Sequence, residues 1–177
     1  MTTAAPGRWE VAESVEVIGP GLPRFGEAPD TALGLVAPSL VGISFDGSEV
    51  RIEPSTRFTV LMFLAHWCPH CQDEVESLGP YFAGEPLPDN VAAFAIATGT
   101  DEKRPNYPPS EWLSPDAWSI PVLVDTADSQ AAAAFGLNAF PFWVVLDPDG
   151  VVLARTAGSL PVASVEALFD NLSALEG

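Results

Sequence analysis

The sequence predicts an α/β fold with parallel crossovers and an antiparallel edge. Three observations carry this. Two apolar runs, residues 58–65 and 91–98, have the composition of buried central strands, and between them Val75, Leu78 and Phe82 recur at helical spacing. Two Asp-Gly turns, Asp46-Gly47 and Asp149-Gly150, are each flanked by short β-branched segments and mark hairpins. The chain closes on an amphipathic pattern.

The elements follow in order. Residues 1–36 read as an irregular lead-in rich in Pro and Gly. Within it Val15-Glu16-Val17-Ile18 alternates like an edge strand, which Gly19-Pro20-Gly21 ends. Residues 41–43 and 49–52 form the first hairpin, and the buried strand at 58–65 leads into a helix that Gly79-Pro80 is expected to kink or end. After the strand at 91–98, residues 99–119 are loop-rich, with Asp101-Glu102-Lys103-Arg104 and a short helix from Ser110. Residues 120–124 make another strand, and Asp128 is expected to cap a helix through Ala131 to Phe135 that Gly136 stops. The second hairpin pairs 142–146 with 151–155. In the last helix Pro161 occupies the first turn, and Val162, Val165, Leu168, Phe169, Leu172 and Leu175 make one face. With no internal repeat, this order reads as one domain over 37–177 preceded by the lead-in.

Composition excludes several function classes. A chain of 177 residues with 47% apolar content supports one sizeable core. Its formal charge of −17, with Lys103 as the only lysine, argues against nucleic acid or an anionic membrane surface as partner. That charge suits solubility, or an acidic proteome. No stretch reaches the ~18–20 apolar residues that span a bilayer, and the start lacks the pattern of a signal peptide. The expected state is a monomer.

The chemistry concentrates in His66-Trp67-Cys68-Pro69-His70-Cys71, which holds both cysteines and both histidines of the chain. Cys-x-x-Cys between a buried strand and a helix reads as a redox dithiol. Unpaired amides and the dipole at a helix start stabilise a thiolate at Cys68, while Cys71, one turn in, is shielded. Cys68 is therefore the expected exposed nucleophile and Cys71 the resolving thiol. Pro69 fits the first turn, where its missing N–H costs nothing. His70, inside the ring, is expected to favour the Cys68 thiolate and make the disulfide more oxidising. His66 reads either as added positive potential or as an exposed loop histidine, and Trp67 either as a shield and contact surface for the sulfurs or as plain packing.

Phe63-Leu64-Ala65-His66-Trp67-Cys68-Pro69-His70-Cys71 resembles the active-site strand and helix start of thioredoxin-fold proteins, and most nearly the TlpA/ResA-like branch of thiol–disulfide oxidoreductases, which often carries redoxin or AhpC/TSA labels. Ala37-Pro38-Ser39-Leu40 with Phe45-Asp46-Gly47 resembles that branch's N-terminal hairpin. Leu137-Asn138-Ala139-Phe140-Pro141-Phe142 with Leu146-Asp147-Pro148-Asp149-Gly150 resembles its cis-proline strand and turn. The resemblance implies a thioredoxin-like fold, a central mixed sheet flanked by helices with an N-terminal β-hairpin extension. It further implies a cis bond at Pro141 facing the cysteines, and a role for Glu74 in moving the resolving thiol's proton, the alternative for Glu74 being an exposed carboxylate. Met62 stands where many thioredoxins keep a buried aspartate, and Phe140 where Thr or Val is frequent. Pro-His inside the ring resembles DsbA-type oxidases, while the rest resembles a reductase-like branch, so both directions of electron flow stay open.

No cofactor beyond the Cys68–Cys71 disulfide is expected, and the expected partners are protein thiols and disulfides together with an electron donor or acceptor. Two other functions compete. Peroxide reduction would want Thr where Ala65 stands. A copper or zinc chaperone-like module would use His66, Cys68, His70 and Cys71, for which the sequence offers no remote Cys or His to complete a site. The resemblance also implies an extracytoplasmic bacterial protein tethered by an anchor upstream of Met1, or a cytoplasmic one if Met1 is the native start.

Overall fold

A computed structural model describes residues 8–175. Five strands form the central sheet in the order β6-β5-β4-β7-β8: β4 (Phe58–Leu64), β5 (Val91–Ala97), β6 (Val122–Val124), β7 (Phe142–Leu146) and β8 (Val152–Ala157). β4 pairs parallel with β5, and β5 with β6, whereas β7 runs antiparallel to both β4 and β8. All seven residues of β4 are buried, the mark of a central strand covered on both faces.

The period-2 alternation of β4 divides the core. Val60, Met62 and Leu64 pack with Cys71, Val75, Leu78 and Phe82 of α1 (Pro69–Gly84) and with Val165, Phe169 and Leu172 of α4 (Val162–Ser173). Leu61 and Phe63 face the other way, onto Phe135 beside α3 (Gln130–Ala134) and onto Leu40 and Ile52 of a second sheet. That sheet is β1-β2-β3, all antiparallel: β1 (Glu16–Ile18), β2 (Ser39–Ile43) and β3 (Glu49–Ile52). A thioredoxin-like fold with an N-terminal hairpin layer is the result.

The lead-in is packed along this second face. Val15, Leu22 and Ala32 are buried there, and the amides of Leu22 and Phe25 donate to the carbonyls of Ala134 and Gly136. Arg155 of β8, its side chain fully buried, pairs with Asp30 and donates to the carbonyls of Pro23 and Phe135, both at 2.8 Å. A Cβ on Gly136 would meet the Pro23 carbonyl oxygen at 2.2 Å, so its φ of +70° and the close approach both demand glycine.

Several expectations are corrected. The helix α1 runs through Gly79-Pro80 to Gly84. Pro80 lies on the exposed face, where water can satisfy the carbonyl left without a donor, and Gly79 serves close packing: a Cβ there would sit 2.3 Å from the Ala117 carbonyl oxygen. Asp128 does not cap α3. Its carboxylate accepts from Thr126 Oγ1, while the amides of Ala131 and Ala132 donate to the buried Asp125. β6 begins at Val122 rather than at residue 120, β8 extends to Ala157, and Leu175 lies past the end of α4 and is exposed.

Candidate active site

β4 ends at Leu64, and α1 begins one turn later with Cys68 as its N-cap and Pro69 as its first residue. The Cys68 backbone is extended (φ −78°, ψ 120°), its amide donates to the Ala65 carbonyl, and its own carbonyl accepts from Gln72. No side chain caps this helix start. The Cys68 sulfur therefore sits at the positive end of a helix of 16 residues.

Both cysteines are free thiols. Cys71 is wholly buried. Burial pushes its thiol well above the usual range, and the neighbouring Cys68 and the carboxyl of Glu74 act in the same direction. Cys68 is only 6% exposed, which corrects the expectation of an open nucleophile. Trp67 and Phe140, both partly buried, pack against the core cluster to which it belongs.

The Phe140–Pro141 peptide is cis, and the Phe140 carbonyl oxygen lies 3.7 Å from Cys68 Sγ. Pro141 thus stands at the start of β7, across from the cysteine turn. Trp67 is half-buried, meets Phe140 edge to face at 5.7 Å, and donates its indole N–H to the Gly99 carbonyl at 2.7 Å. His70 is exposed, with its carbonyl accepting from Ser159.

His66 is neither an exposed loop residue nor a contributor to a surface patch; it is 1% exposed. The Asp101 amide donates to Nε2 at 3.1 Å, so Nδ1 carries the proton and donates to the Pro105 carbonyl at 2.6 Å. Tyr107 meets the ring edge to face, and Asn106 donates to the His66 carbonyl. His66 is the peg on which the 99–108 loop hangs. Nothing in local sequence signals this, because its partners lie 35 and 39 residues downstream.

Glu74 is buried, which rules out the exposed-carboxylate alternative. Its Oε1 accepts from Leu160 N at 2.8 Å and from Trp143 Nε1 at 3.1 Å, whereas Oε2 has no partner. Desolvation lifts its pKa from 4.5 to about 7, against the pull of those two bonds. It lies three positions past Cys71, on the same face of α1. Met62, paired with Trp143 across β4 and β7, is wholly buried, so Glu74 is the acid beneath the thiols. The involvement of Trp143 is visible only once β7 is placed beside β4.

Among the described residues no three His, Cys, Asp or Glu side chains converge into a ligand set, and both ring nitrogens of His66 face backbone groups. The arrangement is suited to two-thiol chemistry: one sulfur at a helix start beside the Phe140 carbonyl, a second sealed below it, and an acid that titrates near neutrality.

The sequence profile of the family described as Redoxin matches residues 26–169. A similar protein is the soluble secreted antigen MPT53 of Mycobacterium tuberculosis, 36% identical over 74 residues, which are 42% of this chain and 39% of that one. The chain spans less than half the length of the curated relatives it matches. Among solved structures, StoA from Bacillus subtilis matches with a TM-score of 0.60 at 15% identity, covering 77% of this chain and 97% of that one. A secreted disulfide oxidoreductase of Mycobacterium tuberculosis matches with a TM-score of 0.58 at 23% identity, covering 76% and 95%. At these identities the structural matches show the shared fold.

Proposed function

The chain belongs to the redoxin family, and we propose that it is a thiol–disulfide oxidoreductase that exchanges disulfides with protein partners through Cys68 and Cys71. The observation that carries this reading is the juxtaposition of Cys68 Sγ, at the start of α1, with the Phe140 carbonyl beside the cis peptide bond, above a sealed Cys71. A partner chain lying along 140–141 would bring its own sulfur to Cys68.

The exchange balances as follows. The Cys68 thiolate attacks one sulfur of a partner disulfide, forming a mixed disulfide and releasing the partner's other sulfur as a thiolate. Cys71 then gives up its proton and attacks Cys68, which releases the partner's second sulfur and leaves the Cys68–Cys71 disulfide. Two electrons pass to the partner, and the same steps in reverse oxidise a partner dithiol. Because burial holds the proton on Cys71, the second attack needs a base. Glu74, with a pKa of about 7, is the acceptor we assign. Its unpartnered Oε2 is the oxygen available to take that proton. Trp67 and Phe140 are assigned as flanking contact surfaces, Pro69 as the residue that sets the helix start, and His70 as the tuning residue within the ring.

Similarity to a secreted mycobacterial antigen supports a working place outside the cytoplasm of a bacterium, where disulfides persist. Among the described residues no helix is long and apolar enough to cross a membrane.

The test is partner trapping. With Cys71→Ser, incubation with a disulfide-containing protein should accumulate a mixed disulfide at Cys68. Cys68→Ser should accumulate none. Equal trapping by both variants would refute the assignment of roles.

A further inference from the structure

The 99–108 loop is anchored beside the cysteine turn by His66 from below and by Trp67 from the side. It carries Lys103 and Arg104, both exposed. The Arg104 guanidinium carbon lies 3.7 Å from the centroid of the Trp67 ring. Trp67 in turn meets Phe140, whose carbonyl neighbours the Cys68 sulfur. A cation therefore stands two aromatic rings from the nucleophile, on a platform held by partly buried hydrogen bonds.

Arg104 is also unspent. Arg51 pairs with Glu49 and Glu53, and Arg155 with Asp30, but Arg104 makes no ion pair among the described residues. The nearby Asp101 carboxylate accepts from the Lys103 amide of its own loop. In a chain with 24 acidic and 7 basic residues, an arginine stacked at the mouth of a site and left without a carboxylate is a vacancy for one. Stacking restrains the guanidinium while leaving its edge N–H groups free, and that edge matches a carboxylate in bidentate geometry. Long-range repulsion from the rest of the chain disfavours acidic partners, so a local contact is what can select them.

We infer that Arg104, held on Trp67, is a specificity-determining contact for partners that carry an Asp or Glu within a few residues of the reacting cysteine. This rests on the proposed disulfide exchange. It assigns the 99–108 loop, which adjoins Phe140 at Gly99, as part of the surface that a partner covers beside Cys68.

The experiment uses the reduced full chain and two disulfide-bonded peptides that differ only in Asp or Lys two residues from the reacting cysteine. Second-order rate constants are read from disulfide consumption. Arg104→Glu should lower the rate constant for the Asp peptide by about tenfold, the product of an attraction lost and a repulsion gained at about threefold each, and raise that for the Lys peptide, so that the Asp-to-Lys ratio falls by about tenfold or more. Arg104→Gln should fall between, and the difference between wild type and Arg104→Glu should shrink as salt rises. If wild type and Arg104→Glu reduce the two peptides in the same ratio, the inference is overturned while disulfide exchange stands. If neither peptide reacts with the wild-type dithiol, the exchange reading falls, and the inference with it.

Discussion

Replacing Glu74 with Gln should change how stability depends on pH, and the size of the change follows from the site. In the native dithiol form Glu74 holds its proton up to about pH 7, whereas in the unfolded chain it ionises near 4.5. Between those values the native state binds more protons than the unfolded state, so the contribution of Glu74 to stability falls as pH rises. The full swing is about 3 kcal/mol, at 1.36 kcal/mol per pKa unit. Gln preserves an oxygen for Trp143 and Leu160, and its amide group lands where Oε2 has no partner. That misplaced donor costs about 1–3 kcal/mol at every pH and adds an offset without a slope. Asp30, Asp46 and Asp128 are held below the usual carboxylate range, titrate under this window, and cancel between the two proteins. Denaturant unfolding of both proteins under reducing conditions from pH 4 to 8, followed by tryptophan fluorescence, reads the difference. The wild type should lose about 3 kcal/mol relative to Glu74→Gln across that range. Parallel curves would show that burial leaves the Glu74 pKa at its unfolded value, and would remove the near-neutral acid on which its assignment as the proton acceptor for Cys71 rests.

Other outcomes follow from the same geometry. Asp30→Asn leaves the buried Arg155 guanidinium without its counter-charge and should cost about 3 kcal/mol, measured by denaturant unfolding at neutral pH. Because the Asp30 pKa is depressed, that contribution is present above its unfolded value and disappears as pH falls through the native one, so the two proteins should converge in acid. Gly79→Ala forces a methyl group against the Ala117 carbonyl and should destabilise by about 1–3 kcal/mol; an unchanged melting temperature would mean that α1 and the 114–118 turn are less close than described. His66→Ala strands the Asp101 amide and should speed its hydrogen exchange about tenfold or more, with no such change at amides of β4. His70→Ala should make the disulfide less oxidising by about 30 mV, equivalent to about 1.4 kcal/mol, and an unchanged glutathione equilibrium would leave the start of α1 as the only activator.

What the sequence made legible was local or periodic. The apolar run of β4, the Asp-Gly turns and the dithiol at a helix start each depend on neighbours within about one turn, and the structure has them where the pattern indicated. The failures arise where a residue's role depends on distant chain. His66 reads as a source of positive potential or as an exposed loop histidine, and is neither, because the 99–108 segment that buries it is remote in sequence. Gly79 and Pro80 looked like a stop, although the close approach of Ala117 explains the first and an exposed helix face tolerates the second. Asp128 has the better local spacing for a cap, yet Asp125, wholly inside, also receives Thr98 from the end of the neighbouring strand and so satisfies more donors at once. The ion pair of Asp30 with Arg155 joins residues 125 apart, beyond the reach of any pattern.

Equilibration of the protein with reduced and oxidised glutathione, quenched in acid and read by mass at the Cys68 peptide, tests most directly whether these thiols act as one redox pair. A single two-electron transition is expected, in which Cys68 and Cys71 lose their thiols together and a glutathione adduct at Cys68 appears only transiently. Cys68→Ser should abolish the transition. A stable glutathione adduct at Cys68 with Cys71 still a thiol, or no transition at any glutathione ratio, would contradict the assignment of Cys68 and Cys71 as an exchanging dithiol.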